Sequence, residues 1–294
     1  MALYGAPPNG PERGHPAPAL VKGGGEVGTA VALALWRAGW PVVVSELPRP
    51  TVLRRHLSLA EAAFAGSIVR DGVRAIRITA PAEVGALLGQ ARTIPLYVGS
   101  PAALLQEVSP ALVVDARMRH GHEAAQQRHE APLVVGLGPE FVAGRYVDVI
   151  VETCPGPELG QVVRAGSAQP YVPLVRGSDP ARAEQYVRAP FAGAWLTDVE
   201  IGDVVTAGQA LGWLNGTALT APTTGSVRGL VHNGVTAPAG LKLAAVHPGD
   251  WQRKEAGIGT RAATIAATVV RLAAAEAFLP LGVAPSGSAA AVAV

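Results

Sequence analysis

Residues 20–46 read LVKGGGEVGTAVALALWRAGWPVVVSE, and this stretch decides the fold. An apolar run at residues 19–21 leads into Gly23-Gly24-Gly25-Glu26-Val27-Gly28, a G-x-G-x-x-G pattern between a strand signal and a helix signal. The helical pattern runs to Ala38 and stops at Gly39, a residue type suited to a helix C-terminus. A second apolar strand over residues 41–45 ends at Glu46, 18 positions beyond Gly28. Each glycine has a physical job in such a unit. Gly23 permits the tight turn, Gly25 lets backbone approach a phosphate, and Gly28 lets the helix pack on the strand. The free N–H groups of the helix start attract an anion. Glu46 stands where a carboxylate accepts a hydrogen bond from a ribose hydroxyl. The competing reading is a helix–strand turn that needs glycine for packing alone.

With 294 residues the chain can bury a substantial core and is expected to hold two domains. A net charge of +2 and a charged fraction of 16% argue against a nucleic-acid-binding surface. Cys154 is the single cysteine, which rules out an intramolecular disulfide and a Cys-rich metal cluster and fits a reducing cytoplasm. The first residues lack a basic segment followed by an apolar one, so a signal peptide is not expected. The apolar stretch at residues 262–279 is interrupted by Arg271 and Glu276. It reads as a helix docked on a core rather than a membrane span, and no membrane partner is expected.

Residues 1–17 and 280–294 are rich in Pro, Gly, Ser or Ala and are expected to be disordered. Between them the first part alternates strand and helix patterns. Ser58-Leu59-Ala60-Glu61 has the form of a capping box, predicting a helix over residues 59–65. Residues 67–79 read as a hairpin with Asp71-Gly72 at its turn. Helices are expected at residues 81–90, 101–108 and 122–128. Strands are expected at residues 94–98, 111–115, 133–135, 146–151 and 161–163. This rhythm predicts a Rossmann-like α/β domain over residues 18–186 with a mainly parallel sheet.

From Val187 the pattern changes to short strands and Gly turns, and an internal repeat emerges. Residues 188–216 match residues 220–249 at Ala189-Pro190 with Ala221-Pro222, Gly193 with Gly225, and Ala207-Gly208 with Ala239-Gly240. Two similar β-halves predict a small sandwich over residues 187–250, followed by a C-terminal helix over 251–279. The repeat resembles the biotinyl/lipoyl-type barrel-sandwich hybrid. Carrier members hold a lysine at the hairpin joining the halves. The junction here is Leu214-Asn215-Gly216-Thr217, so no biotin or lipoate is expected, and a docking or oligomerisation role fits better.

Several polar groups are placed to join the Gly loop. Arg54 and Arg55 follow the second strand, where guanidinium groups pair with phosphate; the alternative is a solvated helix face. Asp115 ends a strand and is positioned for a ribose or Mg²⁺, or for a capping or salt-bridge role. Gly138, in Gly136-Leu137-Gly138-Pro139, offers a second backbone approach to a ligand or a plain turn. His120, His122 and His129 cluster with Glu123 and Glu130, but the spacing is not that of a zinc helix, and no metal is expected. Cys154 would act as a nucleophile only beside a base, and the sequence names none, so catalytic residues stay unassigned.

Taken together, the motifs resemble a known family. They are E-x-P-x-P-T-x-x-R-R at residues 46–55, A-E-A-A-F-A-G at 60–66, V-D-A-R at 114–117 and G-L-G-P-x-F-x-A-G at 136–144. V-I-V-E-T at 149–153, L-G-Q-V-x-x-x-G-x-A at 159–168 and the lysine-free repeat at 189–249 complete the set. The chain, over about residues 21–256, resembles the YqeB-type family of selenium-dependent molybdenum hydroxylase accessory proteins. The resemblance implies a role in maturing molybdenum hydroxylases such as xanthine dehydrogenase, with the hydroxylase or its maturation proteins as partners. It implies as ligand a molybdopterin dinucleotide or another nucleotide at the Gly loop. A homo-oligomer stays open, as do an NAD(P)-dependent oxidoreductase and a non-catalytic scaffold. Two departures stand out. The loop is K-G-G-G-E, with Lys22 and Glu26 as its polar lining. After Glu152-Thr153, where the family tends to R-G-H-x-L-G, Pro155 and Pro157 replace the Arg and the His. Larger members carry a further N-terminal domain that this chain is expected to lack.

Overall fold

The computed structural model describes residues 17–90, 92–118, 125–170, 185–249 and 257–276. The expected disorder at both ends falls outside these residues, apart from Ala17. The apolar runs of the first part form one nine-stranded sheet. In chain order its first members are β1 (Ala19–Lys22), β2 (Val42–Glu46), the hairpin β3 (Ser67–Arg70) and β4 (Val73–Ile78), and β5 (Thr93–Val98). Next come β6 (Leu112–Asp115) and β7 (Leu133–Leu137). A short strand β8 (Val142–Ala143) lies outside this sheet, and β9 (Val149–Val151) and β10 (Val162–Val163) complete it. The order is β10-β9-β7-β6-β1-β2-β5-β4-β3, parallel except for the two edge strands β3 and β10. Alternate residues bury to opposite faces. Val42 and Val44 enter one core and Val43 the other; Leu112 and Val114 oppose Val113. Sheets covered on both sides require such continuous apolar strands.

On one face lies α1 (Glu26–Arg37); on the other lie α3 (Val84–Leu88) and α4 (Pro101–Val108), with α2 (Ala62–Ala65) a single turn between β2 and β3. Asp71 and Gly72 turn the β3–β4 hairpin with φ of 47° and 77°, the left-handed pair a tight two-residue hairpin demands. The second face-covering helix arrives from the far end of the chain. α5 (Thr260–Glu276) packs along α1 and reaches β7 and β9, and buries Ala262, Ile265, Ala266, Val269, Leu272 and Ala273 in the α1 core. That spacing is one helix face. The C-terminal helix thus completes the core that the first strands begin, and the β-module is inserted ahead of it.

That module consists of β12 (Gln185–Arg188), β13 (Gly193–Leu196), β14 (Val204–Val205), β15 (Ala210–Leu214), β16 (Thr217–Thr220), β17 (Gly225–Leu230), β18 (Thr236–Ala237) and β19 (Lys242–His247); β11 (Gly166–Ser167) pairs with β8 elsewhere. It forms two four-stranded antiparallel sheets, β12-β19-β17-β14 and β16-β15-β13-β18. Exchanging each strand for the one four places away in the chain converts one order into the other. Each repeat half therefore gives two strands to each sheet. Trp195, fully buried, anchors the core between them with Leu211, Leu214, Val227 and Leu230.

Two local expectations are corrected. Ser58 caps no helix: its hydroxyl donates to the Arg54 carbonyl at 2.9 Å, and residues 59–61 form a 3-10 turn before α2. No helix covers residues 125–128, because Gln127 is drawn inward, its amide hydrogen-bonded to buried groups; residues 119–124 lie outside the described set.

Candidate functional site

The strand order reverses between β1 and β6, and open α/β sheets bind ligands at the C-terminal edge of such a switch point. A cavity of about 1050 Å³ opens there. Its lining includes Gly23, Gly25, Glu26 and Val27 of the loop, Glu46, residues 50–54, Arg117 and Cys154.

The three loop positions are glycine for different reasons. Gly23 has φ of +96°, and a Cβ there would lie 3.1 Å from the Ala116 carbonyl oxygen. Gly28 faces the Gly23 carbonyl so closely that a Cβ would sit 1.9 Å from its oxygen, so this glycine lets α1 pass over β1. Gly25 is unlike both. It precedes α1 in extended backbone, and a Cβ would meet only Val52, at 3.8 Å. The chain's own atoms do not demand glycine at 25; the space in front of it belongs to the cavity. Gly24 is set by the segment after β2, since its carbonyl accepts from Ala60 N–H at 2.9 Å and from the Thr29 hydroxyl at 2.9 Å. No side chain caps α1, so its first-turn N–H groups stay available at the loop.

Glu46 holds this loop in shape. One carboxylate oxygen accepts from Gly24 N–H at 2.7 Å and the other from Leu47 N–H at 2.7 Å. Burial pushes its carboxyl above the ordinary carboxylate range, against the pull of those two hydrogen bonds. Below the loop lies a charged network that the sequence did not disclose. Lys22, 2% exposed at the end of β1, donates to Gln127 at 2.6 Å and forms an ion pair with Glu130. In register beside it is Asp115, which pairs with Arg117 and accepts from the Gln127 amide at 2.9 Å. Burial lowers the Lys22 pKa despite Glu130. Burial alone would raise that of Asp115, but Arg117 outweighs it and holds the carboxyl below its usual range.

The expected site residues therefore separate. Gly23, Gly25, Glu46 and Arg54 come together on the cavity, and Arg54 pairs with Glu26 at 3.5 Å. Gly24 stands behind them. Arg55 turns to the β-module, where its Nε donates to the Leu230 carbonyl at 3.2 Å, and it faces Glu61 at 3.7 Å. Asp115 lies beneath the floor with its oxygens engaged. Gly138, φ +104°, makes the turn after β7 just behind Pro139, which is on the lining, and is not itself a lining residue. His129 lies away from the lining, and none of the described lining residues is a histidine.

The opposite corner of the cavity is built on Glu152, 2% exposed, just past β9. Its carboxylate accepts from the N–H groups of Thr153 and Cys154, each at 2.6 Å, and of Gln169 at 2.7 Å. Arg261 at the start of α5 donates to the Thr153 carbonyl at 2.8 Å. Cys154 and Pro155 thereby face the cavity. The β-module closes it. Leu230 N–H donates to the Leu53 carbonyl at 2.8 Å, and His232 stacks on Phe64 with ring centroids 3.8 Å apart. This seats the module on residues 53–64 and brings Tyr186, Arg188, Arg228 and Lys242 onto the lining. Among the described residues, six basic ones line the cavity (Arg54, Arg117, Arg188, Arg228, Lys242 and Arg261) against two acidic ones, Glu26 and Glu46. The arrangement is chemically suited to a polyanion. Arg54 and Arg117 belong to motifs legible in the sequence; Arg188, Arg228, Lys242 and Arg261 belong to no motif that singles them out, because they converge from segments far apart in the chain.

Among the described residues no helix is long and apolar enough to cross a membrane. No protein-family model matches the chain. It is 34% identical over 229 residues to a curated protein of Escherichia coli (strain K12) named "Uncharacterized protein YqeB", covering 78% of this chain and 42% of that protein. The chain thus spans less than half the length of the curated relative it matches.

Proposed function

The chain belongs to the YqeB family, and on that premise we propose that it is an accessory factor in maturing molybdenum hydroxylases of the xanthine dehydrogenase type. In this reading it holds a nucleotide, or a molybdenum cofactor in its molybdopterin dinucleotide form, at the Gly loop. The observation that carries it is the cavity at the switch point, where Gly25 leaves backbone open to a phosphate and, among the described lining residues, basic side chains outnumber acidic ones. Gly25, the N–H groups of the first turn of α1 and Arg54 would hold the phosphates. Glu46 keeps the loop in the receiving shape. When bound, such a cofactor brings its own redox centre; the protein's part is to bind and orient it. The second module fits a lysine-free biotinyl/lipoyl-like sandwich, supported by the strand exchange between its halves and by Asn215-Gly216 at the joining hairpin. A cytoplasmic setting, with a hydroxylase or its maturation proteins as partners, belongs to the same reading.

Thermal-shift titration with NAD, NADP, ATP, CTP and a molybdopterin dinucleotide tests it, because a ligand that binds only the folded chain raises Tm with its concentration. The reading expects a saturable rise with the molybdopterin dinucleotide. Stabilisation by NAD alone would replace it with an oxidoreductase. No rise with any of them would leave a scaffold.

A further inference from the structure

We propose that Arg117 is a phosphate-binding residue of the cleft, and that its place beside the Gly loop selects a ligand carrying a diphosphate over one carrying a single phosphate. The inference rests on the nucleotide reading of the Gly loop and deepens it by naming a second phosphate contact.

Topology puts Arg117 at the loop. β1 lies between β2 and β6, with Lys22 in register with Ser45 on one side and Asp115 on the other. The chain leaving β6 therefore passes the Gly loop on the side away from Glu46. A Cβ on Gly23 would lie 3.1 Å from the Arg117 Cα, so the two backbones are packed together. A long side chain from that position reaches a phosphate adjoining the one in front of Gly25.

The side chain is also held in one orientation. Its Nε donates to Asp115 at 2.8 Å, and its Nη2 pairs with the other oxygen of the same carboxylate. Asp115, 2% exposed, accepts in turn from the Gln127 amide; Gln127 accepts from Lys22, and Lys22 pairs with Glu130. Buried charge networks of this kind cost desolvation, and apolar side chains of similar volume often replace them without loss of stability. This one ends on Arg117, whose side chain is 26% exposed and lines the cavity. What the network secures is the direction of a guanidinium.

Asp115 balances the charge of Arg117, so no ligand is needed for neutrality. What Asp115 leaves over is geometric. The guanidinium is a planar fork, and Asp115 takes the edge formed by Nε and Nη2. Nη1 projects away from that carboxylate and donates to no group among the described residues. It carries N–H donors preset in the plane of the fork, the arrangement that suits phosphate oxygens.

The test titrates inorganic phosphate and inorganic pyrophosphate into the full chain by calorimetry. Neither probe has a base, so the result does not depend on which nucleoside the ligand carries. The parent is expected to bind pyrophosphate about tenfold or more tighter than phosphate. In Arg117→Gln that ratio is expected to fall by about fivefold or more. Arg188→Gln removes the same charge from the same lining and is expected to change the ratio by less than about twofold. Gly25→Val is expected to remove binding of both probes.

The Arg117 contact is overturned, and the Gly-loop reading stands, if Gly25→Val loses both probes but Arg117→Gln keeps the parent ratio or Arg188→Gln lowers it equally. A parent that binds both probes alike overturns the contact too. If the parent binds neither probe, or Gly25→Val binds both normally, the Gly-loop reading falls and the contact with it. Should Arg117→Gln fail to fold, Arg117→Lys, which keeps a cation at Asp115 without the fork, decides the matter. A ratio lowered by about threefold or more supports the contact, and an unchanged ratio overturns it.

Discussion

Two corners of the cleft use one device to different ends. At the end of β2 the Glu46 carboxylate gathers the N–H groups of Gly24 and Leu47; just past β9 the Glu152 carboxylate gathers those of Thr153, Cys154 and Gln169. Each turns backbone that leaves a parallel strand. Around Glu46 the backbone held on the loop side is glycine, Gly24, and the result is bare main chain at the open start of α1. Around Glu152 it carries Thr, Cys and Pro side chains and is fastened further by Arg261 from α5. One corner offers backbone to a ligand, and the other offers a wall. The difference teaches that a loop of this kind is defined less by its glycine count than by which glycine faces empty space.

The largest effect is expected inside the glycine corner. Gly28→Ala drives a Cβ into the Gly23 carbonyl and should cost about 3 kcal/mol or more, read as a drop in the urea midpoint. Next is the wall corner. Glu152→Ala strands three N–H groups in a buried turn and should cost about 2–3 kcal/mol, whereas Glu46→Gln, which keeps one acceptor for two donors, should cost about 1 kcal/mol. Equal losses would show that the two carboxylates do not differ as described.

Glu46 also gives the comparison a pH signature. Burial raises its pKa above the ordinary value of 4.5, so the folded chain holds that proton more tightly than the unfolded chain. From pH 4.5 up to the raised folded value, the native state binds more protons, and stability therefore falls as pH rises. The parent-minus-Glu46→Gln difference in unfolding free energy should decline through that window. A flat difference would mean that Glu46 does not feel its burial. The smallest effect on stability belongs to Gly25→Ala, under about 1 kcal/mol, since its Cβ meets only Val52.

Much of the frame was legible because it is local. The apolar alternation of β1 and β2, the Asp71-Gly72 and Asn215-Gly216 turns and the Pro101–Val108 helix each rest on neighbouring residues. The internal repeat foretold two β-halves, though not that each would give two strands to each sheet. What escaped reading is long-range. Lys22 meets a partner 105 positions away, and α5 returns from beyond the β-module to cover α1. Arg55 escaped reading for the same reason: its local pattern suggested a ligand, but a distant partner, the Leu230 carbonyl, engages it. Ser58 is a local case, its hydroxyl turning back to the Arg54 carbonyl four residues earlier instead of capping a helix. At the site the loop glycines were visible, and the cations of the β-module were not, because single arginines in this chain carry no motif.

The central claim is that the space before Gly25 belongs to a phosphate-bearing ligand. Isothermal titration of a molybdopterin dinucleotide into the parent chain and into Gly25→Val tests it most directly, with unfolding midpoints measured alongside. The account predicts saturable binding to the parent and none to Gly25→Val, while the variant keeps its fold because Val52 is the nearest obstacle. Undiminished binding to a folded Gly25→Val would contradict it.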